Sequence, residues 1–391
     1  MKKKIITAVS TLALISLLAG CFPSGKKPAA TDTDSGNVDV GTGSVDAESN
    51  SGGVDVNSNE NSFPSDDGEQ QSIQLPENLS LNIARPQNTP SELPEITLSL
   101  KRWDKAEMEK LFLDGKEIEE KWENDSDFYP GEKKYGYDTK DQFRLVFGPG
   151  EFTIDDKAVL GGEYFYSTVY YYGYGYLSSK ETLAAFSQEN ARGRVEAILD
   201  KLEITNYGDP VIVPIKADYA NEILDSFKED RESEFDYTPW TADEEIYVLY
   251  YPLVYEGVEL TTNFFQLQQK EWATTDSKIT AVVSKDKILR ITARGIYSES
   301  YKSSESIKLN YNYDKALGEL KKYFSNLILS EPKCLTSGKL VYAPYDMEDH
   351  ATIIFKPTWE FSGYDETDYF PYKRECYEYL YADTGSRYMP R

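Results

Sequence analysis

Hydrophobic and polar positions divide the chain into three stretches of different pattern. Ile5 to Leu18 is apolar apart from Thr7, Ser10, Thr11 and Ser16. Phe22 to Pro94 has no apolar periodicity and is dominated by Ser, Gly, Asp, Asn, Thr and Pro. From Glu95 to Arg391 the apolar positions alternate between the helical period of about 3.6 and the strand period of about 2.

Within that last stretch, Asp104-x-x-Glu107 predicts a helix start, with Met108, Leu111 and Phe112 on one face. Phe143, Leu145 and Phe147 alternate as a strand, and Gly148-Pro149-Gly150 turns the chain into a second strand at Phe152-Thr153-Ile154. In the segment Tyr164 to Tyr176, strand alternation puts Tyr164, Tyr166, Thr168, Tyr170, Tyr172, Tyr174 and Tyr176 on one face. Ser187 is placed to cap a helix whose stripe is Ala191, Val195, Ile198, Leu199 and Leu202. Val211 to Ile215 reads as a short strand, and Ala217, Ala220, Leu224 and Phe227 as a further helix.

The second half continues in the same manner. Ile246 to Tyr255 is a strand whose Pro252 predicts an edge or a bulge. Ile279–Val283 and Ile288–Ala293 flank Ser284-Lys285-Asp286-Lys287 as a hairpin. Tyr313, Leu317, Leu320, Phe324 and Leu327 mark a helix. Leu340–Tyr342 and Thr352–Phe361 are strands, the latter with Ile353, Phe355, Pro357, Trp359 and Phe361 on one face. The order predicts an α+β head of antiparallel sheets with helices packed across them. Two modules are expected, at residues 95–235 and 236–391, and the faint similarity of the halves leaves duplication open. Hairpin-length gaps speak against a doubly wound parallel sheet.

Charge changes the picture next. The 67 acidic residues outnumber 42 basic ones, for a net charge of −25, and a phosphate backbone needs a basic footprint, so nucleic acid is not an expected partner. The single histidine, His350, excludes His-rich zinc sites and makes a histidine-dependent triad improbable. No cofactor, metal ligand or catalytic residue is assigned. Ser330-Glu331-Pro332-Lys333 matches Ser-x-x-Lys, yet Pro332 works against the helix that this motif needs. Asp127, Asp155, Asp156, Glu163, Glu244 and Glu245 lie beside aromatic strands and keep a carboxylate-pair hydrolase open as an alternative.

The N-terminus supplies an address. Lys2, Lys3 and Lys4 precede an apolar run of about 14 residues, too short to span a bilayer. The run ends in Leu18-Ala19-Gly20-Cys21, which resembles the bacterial lipobox. That resemblance implies cleavage after Gly20, lipidation of Cys21, and a bilayer anchor at the outer face of the cytoplasmic membrane. Residues 21–94 are then expected to be a disordered acidic tether spanning roughly 45 Å. Its Asp32-rich stretch lacks the ligand pattern of an EF-hand loop.

Cys334 and Cys376 leave two readings open. One is a disulfide closing a loop of about 43 residues, adding roughly 4 kcal/mol in the chain-entropy model. The other is two separate buried thiols.

Glu245-Ile246-Tyr247-Val248-Leu249-Tyr250-Tyr251, followed by Tyr255-Glu256-Gly257-Val258, is similar to the strand-Gly-strand pattern of PepSY-like and YycH/YycI-type extracytoplasmic domains. Lys278 to Tyr297, the helix around Leu317, and Phe355-Lys356-Pro357-Thr358-Trp359-Glu360-Phe361 continue in the order of those modules. The resemblance covers Glu244 to Phe361, and the whole chain resembles the surface lipoproteins of clostridial Gram-positive bacteria. It implies a binding or regulatory surface domain and carries over no catalytic residue. The expected ligand face is Tyr164, Tyr166, Tyr170, Tyr172, Tyr174 and Tyr176, extended by Trp240, Trp272 and Trp359, because such rings suit sugars or extended peptides. A purely structural aromatic face is the competing reading. The expected function is therefore a non-catalytic binding or regulatory lipoprotein for an envelope protein or wall polymer, with a hydrolase and a solute-binding lipoprotein as alternatives. Oligomeric state is left open.

Overall fold

The structure, a computed structural model, describes residues 74–87, 89–126, 129, 131–156, 182–222, 225, 239–262, 277–298, 301–349, 352–365 and 374–388. The chain enters through β1 (Leu79–Leu81), β2 (Glu92–Leu93) and β3 (Ile96–Ser99), then forms α1 (Lys105–Leu113). A meander of β4 (Ile118–Asp125), β5 (Lys133–Thr139), β6 (Phe143–Gly148) and β7 (Glu151–Asp156) follows. Helix α2 (Gln188–Lys201) precedes β8 (Val211–Ile215), β9 (Ile246–Pro252), β10 (Val254–Tyr255) and β11 (Val258–Leu260). The hairpin β12 (Lys278–Ser284) and β13 (Ile288–Arg294) leads to β14 (Lys302–Ser303), β15 (Ile307–Lys308) and α3 (Tyr313–Phe324). The chain closes with β16 (Lys333–Asp349), β17 (Thr352–Asp365), β18 (Arg374–Tyr381) and β19 (Arg387–Tyr388).

These strands make an α+β fold that is mostly sheet. One sheet has eight strands in the order β4-β5-β6-β7-β13-β12-β9-β8, every neighbour antiparallel. A nine-stranded sheet is built on β10-β11-β16-β17-β18-β19, with β1 beside β16 and β3 beside β17 and β14. Only β1–β16 and β11–β16 run parallel among its pairings.

Local chemistry explains the helices. Asp104 accepts from the Glu107 amide at 2.9 Å, Ser187 from Asn190 at 3.2 Å and Asn312 from Lys315 at 3.0 Å, so each first turn has a capped donor. The buried stripes then dock onto the sheets: Met108 and Phe112 of α1, Ala191, Val195 and Leu199 of α2, Ala316, Leu320 and Phe324 of α3. Phe112 stacks on Phe152 of the eight-stranded sheet at 6.4 Å between ring centres. Tyr313 meets the edge of Trp359 of the nine-stranded sheet at 5.6 Å. Residues from the inner faces of both sheets and from α1, α2 and α3 belong to one apolar core.

The outer face of the eight-stranded sheet has two halves. Across β5, β6, β7 and β13 the register aligns Asp138, Arg144, Asp155 and Arg290 in one row. Arg144 grips Asp138 at 2.8 and 3.0 Å, and Arg290 grips Asp155 at 3.1 and 2.8 Å. The Asp138 hydrogen bonds hold the Arg144 guanidinium above its ordinary pKa. Beyond Arg290 the same row continues as Val282, Val248 and Val213, which join a small apolar cluster with Ile215, Ala220, Ile246 and Leu289.

Several expectations need correction. The boundary at 235/236 would cut through the eight-stranded sheet, because β13 pairs with β7 and β9 with β8, both from the earlier segment. The two expected modules are interleaved in that sheet. The tether does not extend to residue 94: Leu79, Leu81 and Ile83 pack on the core, and β1 pairs with β16. Strand β9 is flanked by β8 and β12, and Pro252 sits at its last residue; the edge strand with a proline is β8, at Pro214. An edge tolerates a missing donor because no further strand needs it.

Asp155 faces Arg290 directly and shares its row with Arg144, so Asp155→Asn should lower the unfolding free energy by about 1–3 kcal/mol, the arginines being partly solvated. Urea denaturation with an unchanged slope is the measurement. An unshifted midpoint would show that the ion row does not support the sheet.

Candidate functional site

Helix α1 ends at Asp114, and Gly115 takes a left-handed φ of +74° while the Lys116 amide returns to Leu113 at 2.9 Å. Glycine carries that conformation without a Cβ clash, so the helix stops and reverses within a few residues. The turn brings β4 alongside the helix it has just left. Between them lies a groove of about 720 Å³ lined by α1, the turn, β4 and Tyr137 of β5.

The walls combine apolar and charged groups. Leu113, Ile118 and Tyr137 supply apolar surface, and Lys105, Lys110, Lys121, Glu109, Asp114 and Glu123 supply balanced charge. Tyr137 donates to Glu109 at 2.5 Å, and burial first, then that bond, raise its pKa. Lys105 lies 4.4 Å above the Tyr135 ring and 3.5 Å from Glu123. On the opposite face of the hairpin Trp122 is registered with Gly136, and indole atoms stand 2.0 Å from where a Cβ at 136 would be. Only glycine leaves room for that flat ring to cover the neighbouring strand.

Strand β4 is the edge of the eight-stranded sheet, and seven of its eight residues are exposed, so little of the chain covers it. Sequence periodicity missed this site because Ile118-Glu119-Glu120-Lys121-Trp122-Glu123-Asn124-Asp125 has no apolar alternation. The available signals were the Asp114-Gly115 turn and a tryptophan set among acids.

The residues singled out by sequence are dispersed. Tyr164, Tyr166, Tyr170, Tyr172, Tyr174 and Tyr176 lie outside the described residues, as do Gly20, Cys21, Asp127, Glu163, Trp272 and His350. Trp359 is fully buried, with its indole donating to the Tyr311 carbonyl at 2.7 Å, so it extends no surface platform. Trp240 packs on the apolar cluster of the outer face. Asp155 is held by Arg290, Asp156 by Lys287, and Glu244 by the Thr241 amide at 2.7 Å. Glu245 accepts from the Ala217 amide at 3.3 Å. Ser330 precedes the strand that Lys333 begins, and the Lys333 ammonium pairs with Asp365 at 3.0 Å, so Ser-x-x-Lys forms no helical constellation.

Cys334 and Cys376 are free thiols, which overturns the disulfide reading. Cys334 is registered with Tyr364, and Cys376 with Gly363. Strand β17 therefore runs between them, and two strand spacings of about 4.8 Å each exceed the reach of a disulfide. Successive rows also point to opposite faces. Burial pushes the Cys376 thiol up to about 12, which makes it a poor nucleophile.

A second polar group occupies the outer face of the nine-stranded sheet. Glu360 accepts from Thr261 at 2.9 Å and from Tyr379 at 3.0 Å, with Lys339 3.7 Å away. Glu360 is 4% exposed and satisfied from several sides, the arrangement of a structural carboxylate.

No family model matches the chain, and no curated protein matches it. Among solved structures it is similar to the crystal structure of an uncharacterised protein from Eubacterium rectale ATCC 33656, with a TM-score of 0.58. The two are 14% identical, and the match covers 81% of this chain and 92% of that one. At that identity the likeness bears on the fold alone.

Mass analysis after alkylation should find two free thiols in the head without reductant, with Cys376 protected until unfolding; a mass consistent with an oxidised pair would refute the register argument. Alkaline titration gives a second check. Burial raises the pKa of Cys376 and also of Tyr251, Tyr297, Tyr342 and Tyr381. The folded state thus keeps protons that the unfolded chain releases from about pH 8.5 for thiols and 10 for phenols. Their contribution to stability is complete below those values and is lost as pH rises through the folded pKa. Part of the tyrosinate absorbance should appear only together with unfolding; full ionisation in a still folded head would contradict it.

Proposed function

We propose that this chain is a lipid-anchored surface lipoprotein at the outer face of the cytoplasmic membrane of a Gram-positive bacterium. Its head acts as a non-catalytic binding or regulatory module for an envelope protein or wall polymer. The observation that carries this reading is the open groove beside the exposed edge strand β4, a recognition surface of mixed polarity. The strongly acidic charge and the resemblance to PepSY-like extracytoplasmic domains support a surface role of this kind.

Its other support lies in the fate of the carboxylates. Among the described residues the most buried aspartates, Asp138 and Asp155, are occupied by arginines, and Glu360 is occupied by hydroxyls. A glycosidase works with two acids facing each other about 5–10 Å apart across a cleft; these acids instead neutralise neighbouring strands.

The anchor is tested by Cys21→Ser in cells. Label from fatty acid should disappear, and the protein should move from the membrane to the soluble fraction; retention of both would end the lipoprotein reading. The head is tested by incubating the full chain with isolated wall and membrane fractions. Saturable co-sedimentation without release of soluble wall fragments is expected. Steady release of such fragments would replace the binding reading with a hydrolase.

A further inference from the structure

The eight-stranded sheet has two edges, and they are finished differently. Strand β8 carries Pro214, which removes a backbone donor and blunts that edge. Strand β4 is eight residues long, with neither proline nor glycine, and among the described strands it pairs with β5 alone. A register shift between Ile118 and Glu120 interrupts the start of the strand, and from Glu120 to Asp125 a regular row of backbone donors and acceptors is available along its outer side.

Charge decides what can use that row. Along β4, Glu119, Glu120, Glu123 and Asp125 outnumber Lys121; Lys105 and Lys133 pair with Glu123 and Asp125, so the acidic excess is concentrated at the exposed Glu119 and Glu120. A second copy of β4 would set these acids against their own kind, which disfavours self-pairing. An anionic wall polymer meets the same repulsion, reinforced by a chain charge of −25. A lysine- or arginine-rich strand reverses both terms, because each cross-strand neighbour becomes an opposite-charge pair. The groove between α1 and β4 offers room beside the edge for apolar side chains of such a segment, against Leu113 and Ile118.

We infer that β4 is a docking edge for an extended basic segment of an envelope protein, which adds to the eight-stranded sheet as a ninth strand. This rests on the binding reading above and narrows it to a protein partner engaged through its main chain.

The test uses the lipidated full chain in detergent micelles and a fluorescent peptide alternating lysine and valine, matched in length to β4. The expected result is saturable binding, about tenfold tighter than that of the glutamate–valine counterpart. N-methylation at alternate residues keeps the charge and removes the donors on one side of the peptide, so one of the two methylation registers should abolish binding. Glu119→Lys with Glu120→Lys, both exposed, should reverse the preference toward the acidic peptide. Equal affinity for both peptides, or indifference to both methylation registers, would overturn the inference.

A photocrosslinking residue in living cells separates the two levels of the claim. Placed at Asn124 on β4, it should trap an envelope protein through a lysine-rich segment identified by mass spectrometry. Trapping only from Ile328, a fully exposed position after α3, would overturn the edge assignment and leave the binding reading standing. Trapping from neither would count against both.

Discussion

The antiparallel pairing of Phe152–Asp155 on β7 with Arg290–Ala293 on β13 is the seam on which the head depends. On one side of it lies the meander β4 to β7; on the other lie β13, β12, β9 and β8. Without the seam the eight-stranded sheet would be two smaller sheets, each with an open interior edge. The seam joins residues 135 positions apart, so it closes a long loop whose entropy cost rises only logarithmically with length. Two forces favour closure. On the inner face Phe152, Ile154, Ile291 and Ala293 enter the common core, and on the outer face Arg290 locks onto Asp155.

Groove and edge follow from the same constraint. Once β7 is fixed inside the sheet, Phe152 offers a fixed surface for Phe112, and α1 is seated across the meander. The reversal at Gly115 then leaves β4 little freedom except to run beside β5, outermost in the sheet. The exposure of β4 is thus a consequence of where the meander begins, and its acidic sequence is the chemistry that makes an open edge soluble.

Much of the local structure was legible in the sequence. The caps at Asp104 and Ser187, the alternation of Phe143, Leu145 and Phe147, and the hairpin around Ser284–Lys287 all depend on residues within a few positions of one another. The pairings of β7 with β13 and of β9 with β8 were not legible, because nothing in these strands names a partner more than thirty residues away. Glu360 and Thr358 read as solvent-facing by alternation, yet both are buried, because β17 lies inside its sheet with both faces covered. Lys333–Lys339 and Ala343–Asp349 of β16 were concealed for a related reason: register shifts within them break the strict alternation that marks a strand. The groove was invisible because its residues come from a helix, a turn and two strands. The tyrosine face, the clearest pattern in the sequence, lies outside the described residues.

The divided outer face of the eight-stranded sheet bears on how the head meets a changing medium. Its ionic half, from Asp138 to Arg290, is weakened by dissolved salt, which screens partly solvated pairs. Its apolar half, around Val213, Val248 and Val282, is strengthened by strongly hydrated salts that are excluded from protein surfaces. The two halves are covalently joined through the β12–β13 hairpin, so a rise in such a salt loosens one end of the sheet while tightening the other. The two responses have opposite signs, so the net effect of such a salt on the sheet is smaller than its effect on either half alone.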